Sequence, residues 1–509
     1  MKKDERKNQQ DTKEALAETI TDSLEWNLEK FQQIFADCDD IKMKKMTLGQ
    51  SADVEAAIAY IEVSVGNMLV ENSVLGKLLN HMCELKKDQI YRVLEFNALG
   101  ISDMTVFDKF EDAASGLLTG DAILFIDGFA GAVKIPDKGY PAMTIMEPKS
   151  EQTIRGSREG FTESIKVNAA LIRKRIRSPL IKVKQKTCGI RSDTLVFLVY
   201  MEDLIQDELL ETIEGRLDQF EIDGVMDSGI VEQLTESSWC SPFPQFQTTK
   251  RPDRASMAIL EGRILLMTDN SPEVLILPTD YNSFIQTSDD YYRRWEIVSF
   301  TRVLRYIASV LAMVFPALYL TALNFHAELI PGNLLSTLVQ ARQGVPFPAV
   351  LELLFMELAF ELLREAGVRM PGNMGNAIGV VGGLIVGQAA VEANLVSPAV
   401  VLVVAFTALC SFTIPNEDFA SAFRLLKFVL LILSAVLGFA GLWIGIFLLV
   451  THLAHLESFG IPYLMPLSGT DAGVVDADKD FLLRAPLSAL KNRPPYANKA
   501  QKRKFNWKK

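Results

Sequence analysis

Apolar and polar residues are divided unevenly along this 509-residue chain. From Val303 onward long apolar segments dominate, roughly Tyr306–Phe325, Val350–Ala366, Met374–Val391, Leu395–Pro415 and Lys427–Thr451, and the stretch Phe428–Val450 carries no charged residue. A bilayer crossing takes about 20 predominantly apolar residues. It must also be helical, because lipid offers no partner to an unpaired backbone group. Everything before this region has an ordinary charged composition, so the pattern predicts a large head followed by a compact helical membrane bundle.

Within the head the periodicities mix. Residues 1–50 read as charged helix, with Leu24, Leu28 and Phe31 at helical spacing and Trp26 nearby, either an arm or part of the head. The short apolar runs AILFIDG at 122–128 and TLVFLVYM at 194–201 are bounded by turn residues and predict buried strands. Leu204, Leu209, Leu210, Ile213 and Leu217 mark an amphipathic helix over 203–220. RILLMT at 263–268 and VLILP at 274–278 flank Asp269-Asn270-Ser271-Pro272, the pattern of a hairpin with a slightly long turn. The predicted fold is therefore an α+β membrane protein: a charged helical region at 1–50, a cytoplasmic α/β head of two subdomains at 51–295, a transmembrane helical bundle at 296–455 and a basic tail at 456–509.

Charge and motifs refine this picture. The first fifteen residues are too polar for a signal peptide, which points to a cytoplasmic head. Five widely spaced cysteines without a C-x-x-C pair signal neither a disulfide framework nor zinc. The basic cluster Arg173, Lys174, Arg175, Arg177, Lys182, Lys184 and Lys186 lacks an aromatic stacking pattern, so a solvated or membrane-facing surface is preferred to nucleic acid. His81-x-Cys83 and His452-x-x-His455 lack further ligands at a metal-site spacing. No phosphate-binding or nucleophile motif stands in the chain, and neither an enzyme nor a cofactor is expected.

The net charge is −11, yet the final stretch KNRPPYANKAQKRKFNWKK is strongly basic, and Arg293, Arg294, Arg302 and Arg305 precede the first apolar segment. The positive-inside rule places both flanks in the cytoplasm and demands an even number of crossings. Five segments conflict with that. Val350–Ala366 is the odd one out, since it carries Glu352, Glu357, Glu361, Arg364 and Glu365. Four crossings are expected from the rest. At about 100° per residue Glu357, Glu361 and Glu365 share one stripe, while Glu352 points from the apolar side near the helix start. Two readings stand: an interfacial helix with a wet outer face, or Glu352, Glu357 and Glu361 lining a water-filled cation path. Gly375, Gly379, Gly383 and Gly387 then form a ladder with a step of four, a surface for close helix packing. Gln388 and Glu392 end that helix, as ion ligands or turn caps.

Several longer stretches, taken together, resemble one family: EPKSEQTIRGSREGF at 147–161, LIRKRI at 171–176, PFPQFQTTKRPD at 242–253, DDYYRR at 289–294, SFTRVLR at 299–305, VPFP at 345–348, REAGVRMP at 364–371 and AIGVVGGLIVGQAAV at 377–391. Over nearly its whole length the chain is similar to the A subunit of the GerA family of spore germination receptors. Lys250 departs from the family pattern, where an acidic residue commonly precedes Arg-Pro-Asp. The resemblance implies a multi-pass protein of the spore inner membrane that works with a transporter-like B subunit, where the nutrient is sensed, and a lipoprotein C subunit. It also implies self-association into a ring that releases cations. Two alternatives are an accessory channel of the same family without its own nutrient specificity, and a stand-alone secondary transporter. The latter would need paired repeats, and no internal repeat is visible in the sequence.

Overall fold

The computed structural model describes residues 14–62, 82–95, 105–135, 147–148, 150–369, 383, 385–467, 478–498, 501 and 503–505. Ten strands build two five-stranded sheets: β1 (Ile41–Leu48), β2 (Val54–Ile61), β3 (Thr105–Phe107), β4 (Ala122–Ile126) and β5 (Ala132–Ile135) in one, β6 (Ile181–Cys188), β7 (Thr194–Met201), β8 (Gln247–Thr249), β9 (Ile264–Thr268) and β10 (Val274–Leu277) in the other. Every pairing is antiparallel. An antiparallel sheet commonly leaves one face in water, but here both faces are covered. Helices Leu24–Ile34 and Phe110–Leu118 cover one face of the first sheet against Ala57, Ala59 and Phe125, and Met82 and Ile90 pack on the other against Ile58 and Leu124. That is why the runs at 122–126 and 194–201 are continuously apolar rather than alternating.

The sheets share one plan. Their orders are β1-β2-β4-β5-β3 and β6-β7-β9-β10-β8, the same permutation twice. The helix entering each half is tied down in the same way: Thr21 N donates to Asn27 Oδ1 (3.0 Å) and Asn27 Nδ2 to Thr21 O (2.7 Å), as Thr162 N does to Asn168 Oδ1 (2.8 Å) and Asn168 Nδ2 to Thr162 O (2.7 Å). Asp127 and Asp269, each following a central strand, accept from Leu24 N and Ile165 N. The chain therefore does carry an internal repeat, in the head. Its trace in the sequence is brief: TDSLEWN at 21–27 against TESIKVN at 162–168.

Two expectations need correction here. Ile41–Leu48 is a strand paired along its full length with Val54–Ile61, so the boundary expected at residue 50 falls inside a hairpin and Leu24–Ile34 belongs to the first core. The strand was hidden because its Lys42, Lys44 and Lys45 read as surface helix. The basic cluster, for its part, is no open surface. Arg173 is buried in a bidentate pair with Asp40 (2.8 and 2.8 Å), Lys174 and Arg175 meet Glu159, Lys182 donates to Ala36 O, Lys184 meets Glu214 and Lys186 meets Asp218. Asp39 N and Val183 O, with Val183 N and Asp37 O, stitch the first half onto the edge of β6. The helix expected over 203–220 runs Asp207–Leu217, and Ile264–Thr268 and Val274–Leu277 form the expected hairpin. Lys250 is matched by Glu273 at 2.9 Å.

Among the described residues two helices are long and apolar enough to cross a membrane, Trp295–Asn324 and Glu417–His455. The second is not one rod. Gly438 has φ 59° and ψ −138°, a conformation open only to glycine, and the chain reverses there. The Phe423 and His452 rings lie 5.7 and 6.2 Å from the ring of Phe243, whereas a straight helix would part them by about 44 Å at 1.5 Å per residue. Gly441 and Gly445 permit the close return: an added methyl would strike Leu433 at the first and Leu430 at the second. Both ends of the segment expected as a single crossing at 427–451 therefore come back to the head.

The tail also returns. Tyr463 and Tyr496 are buried, Asn498 N donates to Leu204 O (2.7 Å), Gln206 Nε2 to Pro495 O (2.6 Å) and Arg493 Nε to Leu260 O (3.0 Å). What read as a basic tail is a strap docked on the second half of the head, against Leu204, Gln206 and Leu260.

Candidate functional site

The acidic helix spans Ala349–Arg369 and turns Glu352, Glu357 and Glu361 inward, while Glu365 stays exposed and pairs with Arg369. Leu351, Phe355, Leu358 and Leu362 form its exposed face, while Glu352 and Glu357 are each only 1 % exposed. This reverses the interfacial helix with a wet outer face. An apolar outside and a charged inside suit a helix in lipid or against another subunit.

Glu352 is fully engaged. Its Oε1 accepts from Arg342 Nε (3.2 Å) and Nη2 (3.0 Å), and its Oε2 from Ser397 N (2.8 Å), which opens helix Pro398–Phe412. It ties two connections together, a structural bond. Glu357 and Glu361 sit in a cluster. Lys427 Nζ lies 2.5 Å from Glu357 Oε2 and 3.6 Å from Glu361 Oε1, and Arg424 and Arg364 approach Glu361 at 3.7 and 4.0 Å. Arg364 lies over the Phe412 ring, 4.9 Å from its centroid.

Three cations thus face two carboxylates, but their hydrogen bonds are incomplete. Glu357 Oε1, Glu361 Oε1, Arg364 Nη1 and Ser411 Oγ are buried without a partner. Buried charge normally persists only when paired and hydrogen-bonded, so this cluster has capacity left over. A small gap is lined by Glu361, Arg364, Ser411, Arg424 and Lys427. Among described residues it joins the acidic helix, Pro398–Phe412 and the first arm of the hairpin. Lys427 and Arg424 were missed from the sequence, although two cations three apart at the mouth of an uncharged segment already demand buried partners.

Of the glycine ladder, Gly375 and Gly379 lie outside the described residues. Gly387 packs on the next helix, where an added methyl would stand 3.3 Å from Val401 Cγ1; among the described residues nothing lies within 4 Å at Gly383. Gln388 Nε2 donates to Glu392 Oε1 (2.9 Å), an exposed side-chain pair one turn apart.

A second site couples head and helices. Asp290, 1 % exposed, accepts from Arg305 Nη1 (3.1 and 3.0 Å) and lies 3.5 Å from Arg302 Nη2. Asp480 of the strap accepts from Arg302 Nη1 (2.8 Å) and Tyr291 Oη (2.8 Å). Beside them Phe243 and Phe284 of the head pack with Tyr281, Phe419, Phe423 and Tyr463. The joint ties the DDYYRR and SFTRVLR stretches together, since Asp290 of the first is the partner of Arg302 and Arg305 of the second. His452, half of one histidine pair, meets Ser241 Oγ at 2.9 Å.

The family model described as "Bacillus/Clostridium GerA spore germination protein" matches residues 29–496. The chain belongs to the GerA family. Among relatives of this family member, spore germination protein KA of Bacillus subtilis is 37 % identical over 483 residues, covering 95 % of this chain and 88 % of that one. Spore germination protein A1 of the same organism is 34 % identical over 489 residues, covering 94 % and 96 %. YfkQ, an uncharacterized membrane protein of B. subtilis, is 38 % identical over 475 residues, covering 93 % and 91 %. The crystal structure of the N-terminal domain of the A subunit of the Bacillus megaterium spore germinant receptor GerK3 is 27 % identical, with a TM-score of 0.40, covering 51 % of this chain and 96 % of that one.

Proposed function

We propose that this GerA-family protein is the A subunit of a nutrient-germinant receptor of the spore inner membrane. A B subunit senses the nutrient, a lipoprotein C subunit accompanies it, and this chain answers by letting cations pass from an oligomeric ring. The chain itself carries out no catalysis. The observation that carries the reading is the under-coordinated cluster of Glu357 and Glu361 behind an apolar outer face. In the single chain Lys427 holds Glu357, so the resting cluster is closed. Opening requires Lys427 to leave, exposing carboxylates that attract cations and repel anions.

The hairpin supports an even number of passes by another route than the one expected from sequence. With Glu417–His455 reversing at Gly438, the acidic helix can itself be a pass, and head and strap still lie on one side. The joint at Asp290, Arg302 and Asp480 connects the head to that bundle. Spores carrying Glu357→Gln with Glu361→Gln test the pathway. Normal assembly with slowed nutrient-triggered potassium release supports it, and normal release refutes it. A second reading is an accessory family channel without nutrient specificity, which would use the same cluster. Deleting the partner B subunit separates the two: a receptor subunit loses its nutrient response, an accessory channel keeps it.

A further inference from the structure

The head, strap and joint enclose a cleft that no part of the proposed ion path uses. It offers about 340 Å³ and is bounded by Arg263, Asp280, Asn282 and Tyr291 on the head side and by Met465, Leu487, Leu490, Pro495 and Phe505 on the strap side. Small-molecule sites of about 300–1,000 Å³ with apolar walls and a few converging polar groups are the common form. The head wall here is charged, and the strap wall is apolar apart from Asp480, Asn492, Arg493 and Lys504; Arg493 is held by the Leu260, Gln501 and Arg503 carbonyls.

The charged groups are unequally satisfied. Asp480 is held by Arg302 and Tyr291, Asp280 accepts from the backbone N (2.9 Å) and the hydroxyl of Ser283, and Glu261 faces Lys504 at 3.5 Å. Arg263 is different. It is 7 % exposed, yet its single side-chain hydrogen bond runs to Gln247 Oε1 at 3.4 Å, its Nε has no partner, and Glu261 stands 3.9 Å away. Arg173, 0 % exposed, makes three bonds of 3.0 Å or less. Burying a guanidinium without such partners is costly. What covers Arg263 is the Tyr496 ring, 4.2 Å from its guanidinium carbon. The cleft is therefore lined by an under-bonded guanidinium beside a largely apolar wall, and its acids are already engaged.

We propose that this cleft binds a small monocarboxylate with an apolar body, its carboxylate on Arg263 and its chain against Leu487, Leu490 and Pro495. A planar carboxylate matches the guanidinium fork. The strap forms the apolar wall, and through Asp480 it also grips Arg302 at the base of the first long helix, so occupancy would be felt at the joint. The test is isothermal titration of the full-length protein in detergent with hexanoate, with hexanamide as its neutral isostere, and with inorganic phosphate and palmitate. Saturable hexanoate binding is expected, with none for hexanamide. Arg263→Gln should weaken it about tenfold or more, the loss of a charge-assisted hydrogen bond, and Leu490→Trp, which fills the cleft without touching the charge, should abolish it. Failure of hexanoate to bind, equal binding of phosphate, stronger binding of palmitate, or binding that survives Leu490→Trp would each overturn the assignment.

Discussion

The buried charges of the head seam and those of the bundle are built from similar residues and satisfied to different degrees. At the seam Arg173 meets Asp40 through two bonds of 2.8 Å and the Ile181 carbonyl at 3.0 Å, and Asp40 belongs to the stretch stitched onto β6. In the bundle Lys427 makes one short contact to Glu357, and four polar atoms around it stay unpartnered. The first arrangement has one low-energy state, because any movement breaks bonds without forming others. The second can exchange partners, since Lys427 has Glu361 within 3.6 Å and the spare oxygens accept water or a cation. Hydrogen-bond completeness, not burial, is what separates the two arrangements.

The sharpest way to break this comparison is at the seam. Asp40→Ala strands a fully buried guanidinium and should cost about 3–5 kcal/mol, read as a loss of folded protein in chemical denaturation of the full chain. In the bundle, Lys427→Met alone strands Glu357 and should destabilise, yet Lys427→Met with Glu357→Gln should recover most of it. Such a double-mutant cycle isolates the coupling. Recovery with altered potassium release marks a switch; no recovery would make this pair a lock like the seam.

Next in size is the turn on which the bundle geometry rests. Gly438→Ala would force a side chain into a glycine-only conformation, with its methyl 2.9 Å from Phe325 Cγ, and should cost about 1–3 kcal/mol. A thermal melt in detergent measures it, and an unchanged melt would argue for a straight helix.

Acidity sharpens the comparison further. Glu232, on helix Ser228–Thr235, is pushed up from 4.5 to about 8 by burial first and then by Glu236, Asp418, Glu273 and Asp227. The folded chain then holds a proton that the unfolded chain has lost, so stability falls as pH rises from about 4.5 toward 8. Glu232→Gln should flatten that slope in melts taken across the window, and an unaltered slope would show that Glu232 titrates normally. The smallest effect is expected at Gly383→Ala, within about 0.5 kcal/mol, because no described residue stands near it. Gly387→Leu, against Val401, should be worse.

Much of the head was legible because its central strands are buried on both faces and read as unbroken apolar runs, Ala122–Ile126 and Thr194–Met201 among them. Ile41–Leu48 was not, since an edge strand with lysines on its exposed positions carries no such run. The repeat escaped because only the capping residues, Thr21, Asn27 and Asp127 against Thr162, Asn168 and Asp269, are held to one chemistry; the cores are interchangeable hydrophobes. At the candidate site the glutamates could be named from their cost in lipid, but not which way they face.

By itself the sequence determined the family, the head followed by apolar helices, and the presence of charge inside the bundle, because hydrophobic runs and the cost of buried charge are local properties. Tertiary structure alone decided that Glu352 ties connections while Glu357 and Glu361 meet Lys427 and Arg424 from another helix. It also decided that the last apolar stretch turns back at one glycine, and that the basic tail lies on the head. Each of these depends on partners distant in the chain, and a buried charge is defined by its partner.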